Sequence, residues 1–280
     1  MPGSRAAALL GILWLGVSCA FAADGSLDRD PQWQQGRNFL AEGKTEDAKQ
    51  VLTELSKKYP KAADVYLFLA IASLRLRNPQ AAEAEIQKAL ALDSNHVEAR
   101  TLRGWIELEV KRDYAGAVAD YSKVAELKPD WPEAHNNLGV AWKKKGELDK
   151  AVASFTRAVE LRPEYSEAWS NRGWVHAEEK KWHEARADFE QALKFNPKDE
   201  GALYGLAQAQ RAIRDYAGAE TTLKTLISRA PNFVYWLEWG QVKLVHYYWV
   251  LLVAAGLVYL NSRFQRSRRE LHGGADRKET

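Results

Sequence analysis

Three ladders of residues run through this chain at a spacing close to 34, and they restrict its fold more than any other feature. Ala48, Ala82, Ala117, Ala151, Ala185 and Ala219 recur at intervals of 34, 35, 34, 34 and 34 residues. Pro60, Ser94, Pro129, Pro163, Pro197 and Pro231 keep that spacing, as do Gly36, Ala70, Gly104, Gly139, Gly173 and Ala207. Four residues after each ladder alanine stands a large apolar side chain: Leu52, Ile86, Tyr121, Phe155, Phe189 and Leu223. A fixed period of this length marks a stacked repeat array.

Each rung has a physical reason. Antiparallel helices approach closely only where side chains are small, so the Gly or Ala of a first helix is expected to face the Ala of the second. The bulky residue four positions later lies on the same helical face and fills the core. Proline cannot continue a helix, so it ends the second helix and turns the chain into the next pair. The ladders thus predict six helix–turn–helix units at 29–62, 63–96, 97–131, 132–165, 166–199 and 200–233. The one extra residue lies between Gly104 and Ala117, which predicts a longer turn or a bulged first helix within Glu107 to Asp113.

The pattern resembles the tetratricopeptide repeat over about residues 29–233. Its best copies are Glu133-Ala-His-Asn-Asn-Leu-Gly139 with Ala151, Phe155, Ala158 and Pro163, and Glu167-Ala-Trp169 with Gly173, Ala185, Phe189, Ala192 and Pro197. The resemblance implies an all-α fold, a right-handed superhelical solenoid with a concave groove lined mainly by the first helices. One position departs from the family: the residue before the small rung is Leu at Leu69, Leu138 and Leu206 but Gln35, Arg103 and Arg172 elsewhere.

The two ends follow a different logic. Met1 to Arg5 is short and positive, Ala6 to Val17 is apolar, and Ala20-Phe21-Ala22 is a small-x-small triplet, the order of a secretory signal over 1–22. An uncleaved N-terminal anchor is the alternative, although 12 apolar residues are short for a bilayer. Gly16, three before Cys19, speaks against a lipoprotein signal. Residues 244–262 carry no formal charge over 19 positions, enough for a C-terminal transmembrane helix, with Tyr235, Trp236, Trp239, Tyr247, Tyr248 and Trp249 crowding its start. Residues 234–243 read as a juxtamembrane segment that caps the sixth repeat, since a terminal repeat lacks a neighbour. The tail 263–280 opens with Arg263, Arg266, Arg268 and Arg269, whereas Lys243 is alone in the dozen residues before the span. That asymmetry places the tail in the cytoplasm and the repeats outside it, in the periplasm of a bacterium.

No catalytic constellation is legible. Forty Lys+Arg against 37 Asp+Glu are spread along the chain, unlike the basic face that grips nucleic acid. The six histidines show no His-Glu-x-x-His pair, glycine-rich phosphate loops are absent, and the single Cys19 allows neither a disulfide nor a cysteine zinc site. Neither a cofactor nor an enzymatic role is expected. Alignment of the repeats places Trp105, Asn136, Asn137, Lys143, Lys144, Asn171, Trp174, Tyr204, Gln208 and Arg211 on the inward positions of the first helices. Amides pair with the backbone of an extended peptide and aromatic rings give broad rigid contacts, so the expected partners are a peptide or helix of another protein, with the lipid bilayer held through 244–262. Asn137 and Asn171 equally match the repeat pattern and serve stacking. The carboxylate-gripping version of the family needs lysines where this chain has Glu133, Asn136, Glu167 and Ser170. The expected role is a membrane-anchored scaffold that assembles or stabilises a cell-envelope complex. The alternative is a regulatory subunit acting on an integral-membrane enzyme or transporter through the transmembrane helix.

Overall fold

The computed structural model describes residues 26–273, with 266–273 as backbone only; the signal segment 1–22 and the end of the basic tail lie outside the described residues. Thirteen α-helices and no strand occur among the described residues. They fall into two compact units divided after Pro163.

Unit 1 contains four helical hairpins: α1 (Pro31–Ala41) with α2 (Thr45–Lys58), α3 (Ala63–Arg75) with α4 (Pro79–Leu92), α5 (Val97–Trp105) with α6 (Tyr114–Leu127), and α7 (Pro132–Lys145) with α8 (Leu148–Leu161). Unit 2 contains α9 (Ser166–Glu178) with α10 (Trp182–Phe195), α11 (Glu200–Ala212) with α12 (Tyr216–Arg229), and the long α13 (Phe233–Gly273). Each ladder proline stands two residues beyond its helix, as Pro60 does after Lys58 and Pro197 after Phe195. The turns inside the hairpins share one device. Gly43, Arg77, Arg112 and Gly146 in unit 1, and Lys180 and Arg214 in unit 2, all have φ between 57° and 88°. A left-handed residue ends a helix sharply, and glycine does so at least cost. Asn78, Asp113 and Asp215 then cap the second helices, accepting from the amides of Ala81, Gly116 and Gly218.

The six ladder alanines are wholly buried, and the bulky rungs Leu52, Ile86, Tyr121, Phe155, Phe189 and Leu223 nearly so. Each such aromatic or aliphatic side chain removed from water contributes about 1.5–3 kcal/mol. The glycines do not chiefly face the alanines, as close helix approach alone suggested. A Cβ on Gly36 would meet Leu52 at 3.1 Å, one on Gly104 the ring of Tyr121 at 3.1 Å, one on Gly139 the ring of Phe155 at 2.7 Å, and one on Gly173 the ring of Phe189 at 2.9 Å. The small rung is the seat of the bulky rung.

The extra residue of the third repeat is absorbed by a π-helical turn, Ile106–Lys111, that continues α5 and ends at left-handed Arg112. Such a turn accommodates one added residue without breaking the helix.

In α13 Tyr235, Trp239, Val242 and His246 form an i, i+4, i+7, i+11 stripe turned onto the sixth repeat, with Glu238 beside it. From Tyr247 to Gln265 every residue is exposed. The packed stripe therefore reaches beyond Lys243 into the charge-free run, and the segment that covers the repeat is continuous with that run. Among the described residues this is the one helix long and apolar enough to cross a membrane.

Candidate protein-binding faces

At Arg103 and Arg172, two of its three departures from the repeat pattern, the position before the small rung is explained by charge. Arg103 donates from Nη2 to Oδ1 of buried Asp120 at 2.6 Å, and Arg100 adds a bond of 2.9 Å to the same oxygen. In unit 2, Arg172 holds Asp188 through Nη2 at 2.7 Å and Nε at 3.0 Å, while His176 Nδ1 lies 3.0 Å from the same carboxylate. Asp120 and Asp188 each directly precede the bulky rung, so arginine replaces leucine where aspartate stands opposite. In the sixth repeat the arginine's place is held by Leu206, and Thr222, in the aspartate's place, donates instead to Gln210 at 2.9 Å.

His96 and Glu107 are among the shifted titratable groups of unit 1. Burial would lower the pKa of His96, but hydrogen-bonding contacts with Asp64 and Glu98, each 3.2 Å away, raise it to about 9. Its two ring nitrogens join the starts of α3 and α5 through Asp64 and Glu98. Burial, with Asp120 nearby, raises Glu107 on the π-turn to about 7. Among the described residues no group of three or more His, Cys, Asp or Glu is arranged to hold a metal ion.

The inward residues anticipated from the sequence are distributed over both units. In unit 1 Trp105, Asn137 and Lys143 are half-buried and Lys144 is exposed, whereas Asn136 is 2% exposed and belongs to the packed interior. Beside them Trp142 lies between the ammonium groups of Lys150 at 4.5 Å and Lys145 at 5.0 Å, contacts within cation–π range. In unit 2 Asn171, Trp174, Tyr204, Gln208 and Arg211 are half-buried. Trp174 meets the edge of Phe189 at 5.2 Å, and an aromatic row runs from Trp174 to Tyr204 at 6.4 Å and on to Tyr235 at 5.4 Å. Tyr204 also donates its hydroxyl to Glu238 at 2.8 Å. Burial and Glu238 together raise its pKa. This end of the expected groove is therefore taken by the chain's own α13, while Trp169 lies under the Arg172 guanidinium at 4.7 Å. Tyr235 and Glu238 were absent from the sequence-derived set. Continuing the 34-residue period one step past Tyr204 points to Glu238 and would have exposed the first helix of a seventh repeat.

Sequence models described as tetratricopeptide repeat match residues 39–106, 176–237 and 132–165, and one described as TPR repeat matches 111–146, together more than half of the chain. The type IV pilus assembly protein PilF of Pseudomonas aeruginosa is 33% identical over 117 residues, 40% of this chain and 45% of that protein. RNA polymerase II-associated protein 3 of Xenopus tropicalis is 33% identical over 105 residues, 38% of this chain and 16% of that protein. The chain thus spans less than half the length of either relative. The solved structure of Pseudomonas aeruginosa PilF matches with a TM-score of 0.66 at 22% identity, covering 76% of this chain and 96% of that one. PilW, a type IV pilus biogenesis factor, gives 0.65 at 17% over 73% and 94%. YrrB, described as a TPR protein with an unusual peptide-binding site, gives 0.57 at 23% over 68% and 97%. At these identities the structural likeness speaks for the fold alone.

Proposed function

Because the chain belongs to the tetratricopeptide repeat family, we propose that it is a non-enzymatic scaffold, anchored in a membrane by α13, that binds other proteins through the first helices of its repeats. The observation that carries the reading is the continuity of α13: one helix packs on the sixth repeat through Tyr235, Trp239 and Val242 and then runs on as an exposed apolar rod. In water that rod would be an aggregation hazard; in a bilayer it is an anchor. The arginines from Arg263 onward support a cytoplasmic tail and repeats on the outer side, periplasmic in a bacterium. The resemblance to pilus assembly factors makes an envelope complex of that kind the first partner to test.

Asn171 and Trp174 are the residues assigned to partner contact in unit 2. The full chain purified in mild detergent should bring down an envelope protein, and Asn171→Ala with Trp174→Ala should weaken that binding by about 2 kcal/mol or more if they form a hot spot. Unchanged affinity in a folded double variant would refute the assignment. The exposed rings along α13, Trp249 among them, favour one second reading, a regulatory subunit of a membrane enzyme or transporter. In that case the partner would be lost from a chain ending at Lys243 and indifferent to the Asn171/Trp174 change.

A further inference from the structure

In unit 2, α11 and α13 run in the same direction in a register of 34, fixed by the Tyr204–Glu238 hydrogen bond of 2.8 Å. Ten residues further along each path, about 15 Å at helical rise, Arg214 comes level with Tyr248. The return helix α12 agrees with this level, because Glu220 Oε2 lies 3.7 Å from His246 Nδ1. His246 is also the last residue of α13 whose side chain the repeat covers. The charge-free run of 19 residues is about 28 Å long, barely the thickness of the hydrocarbon layer, so nearly all of it is needed to span. Tyr247, Tyr248 and Trp249, within the first two turns of that run, then stand near the lipid–water boundary, the usual place for such rings. The turn from α11 to α12 is brought to the same depth.

That turn presents a cation at a cost. Arg214 is exposed in the left-handed region, φ 66°, as Arg77, Arg112 and Lys180 are at equivalent turns where Gly43 and Gly146 adopt the conformation freely, and what sets Arg214 apart is its level with Tyr248 of α13. Guanidinium is well matched to phosphate. We propose that Arg214 binds lipid headgroup phosphate, so that unit 2 touches the membrane at the α11–α12 turn as well as through α13. The inference rests on the reading of α13 as a membrane span.

The test uses the full chain with Cys19→Ser, reconstituted in phosphatidylcholine–phosphatidylglycerol vesicles, carrying one fluorophore on Ala217→Cys, Lys198→Cys or Val253→Cys. Ala217 lies in the first turn of α12, Lys198 lies in the turn before α11, about 22 Å away by helical rise, and Val253 reports the span. A headgroup-borne quencher should remove most of the emission at position 217 and little at 198, and Arg214→Gly should measurably lower the quenching at 217 while leaving that at 253 unchanged. Quenching at 253 by an acyl-chain quencher, with 217 no more quenched than 198, overturns the inference while the anchor stands. No quenching at 253 overturns the anchor and the inference together. If Arg214→Gly leaves the 217 signal unchanged, the arginine–phosphate contact is refuted.

Discussion

Gly205 lies against Phe189 so closely that a Cβ on the glycine would stand 2.4 Å from the ring's Cζ. Gly173 sits at the ring's Cε1, where a Cβ would be 2.9 Å away. The ring thus fills a slot between a glycine of its own hairpin and one of the next. Gly205→Ala should destabilise unit 2 by about 1–3 kcal/mol, because the neighbouring ring is fully buried and has nowhere to move. Chemical denaturation followed by circular dichroism would measure it. Adding Phe189→Leu should return part of the loss, and an alanine variant as stable as the parent would show that the slot has slack.

That slot also marks how far the sequence could be read. Gly173 was visible because it belongs to a ladder, whereas Gly205, two residues before Ala207, seats a ring from the preceding hairpin and has no counterpart in the other repeats. Small, large and proline rungs repeat because every hairpin needs them, so fold class follows from counting. Contacts special to one repeat leave no period. The Arg172–Asp188 pair was legible in principle, since both residues depart together from the pattern, but charge partners are found only by comparing two columns at once. Asn136 illustrates the opposite error: an amide at an inward position looked available, and the neighbouring packing buries it.

The buried carboxylate of Asp188 should be costly to disturb from one side only. Asp188→Ala removes the carboxylate from Arg172, itself largely covered, and should cost about 3 kcal/mol. Arg172→Leu with Asp188→Ser reproduces the combination that the fourth repeat already has in Leu138 and Ser154. This double variant should recover most of the stability lost in the single one. Equal loss in both would mean that His176 also depends on the carboxylate.

Lys180 holds a left-handed turn, φ 60°, where Gly43 and Gly146 serve other repeats. Lys180→Gly removes the steric cost of that conformation, offset in part by the greater freedom of glycine in the unfolded chain, for an expected gain of up to about 1 kcal/mol. A rise in melting temperature of unit 2 is the readout. A fall would indicate that the ammonium group contributes more at the end of α9 than its backbone costs.

Unit 1 should lose stability as pH rises from mildly acidic to alkaline. His96 is raised to about 9, above its ordinary 6.5, so the native state binds the extra proton and the contribution is complete below about 6.5 and gone above about 9. Glu107 is raised from 4.5 to about 7, so its contribution is complete below about 4.5 and lost as pH passes about 7. Melting temperature against pH should therefore fall through two successive windows. Glu107→Gln should flatten the lower one and His96→Gln the upper; a profile unchanged by both substitutions would contradict the shifts.

The last expectation concerns the start of α13. Tyr235 closes over Leu203, Leu226 and Ile227, and Val242 over Ala207, Ala219 and Leu223, all buried in the intact chain. A chain ending at Asn232 would expose these apolar surfaces, whereas one ending at Lys243 keeps Tyr235, Trp239 and Val242 and loses only the His246 contact. Burial of three such side chains together stabilises by more than about 3 kcal/mol. The shorter chain should melt earlier and associate through the uncovered face, visible as early elution in size-exclusion chromatography. The chain ending at Lys243 lacks most of the apolar rod and should remain monomeric. If the two are equally stable and equally monomeric, the residues from Phe233 onward are an appendage of the anchor alone, and the repeats would not be fixed to the membrane through a shared helix.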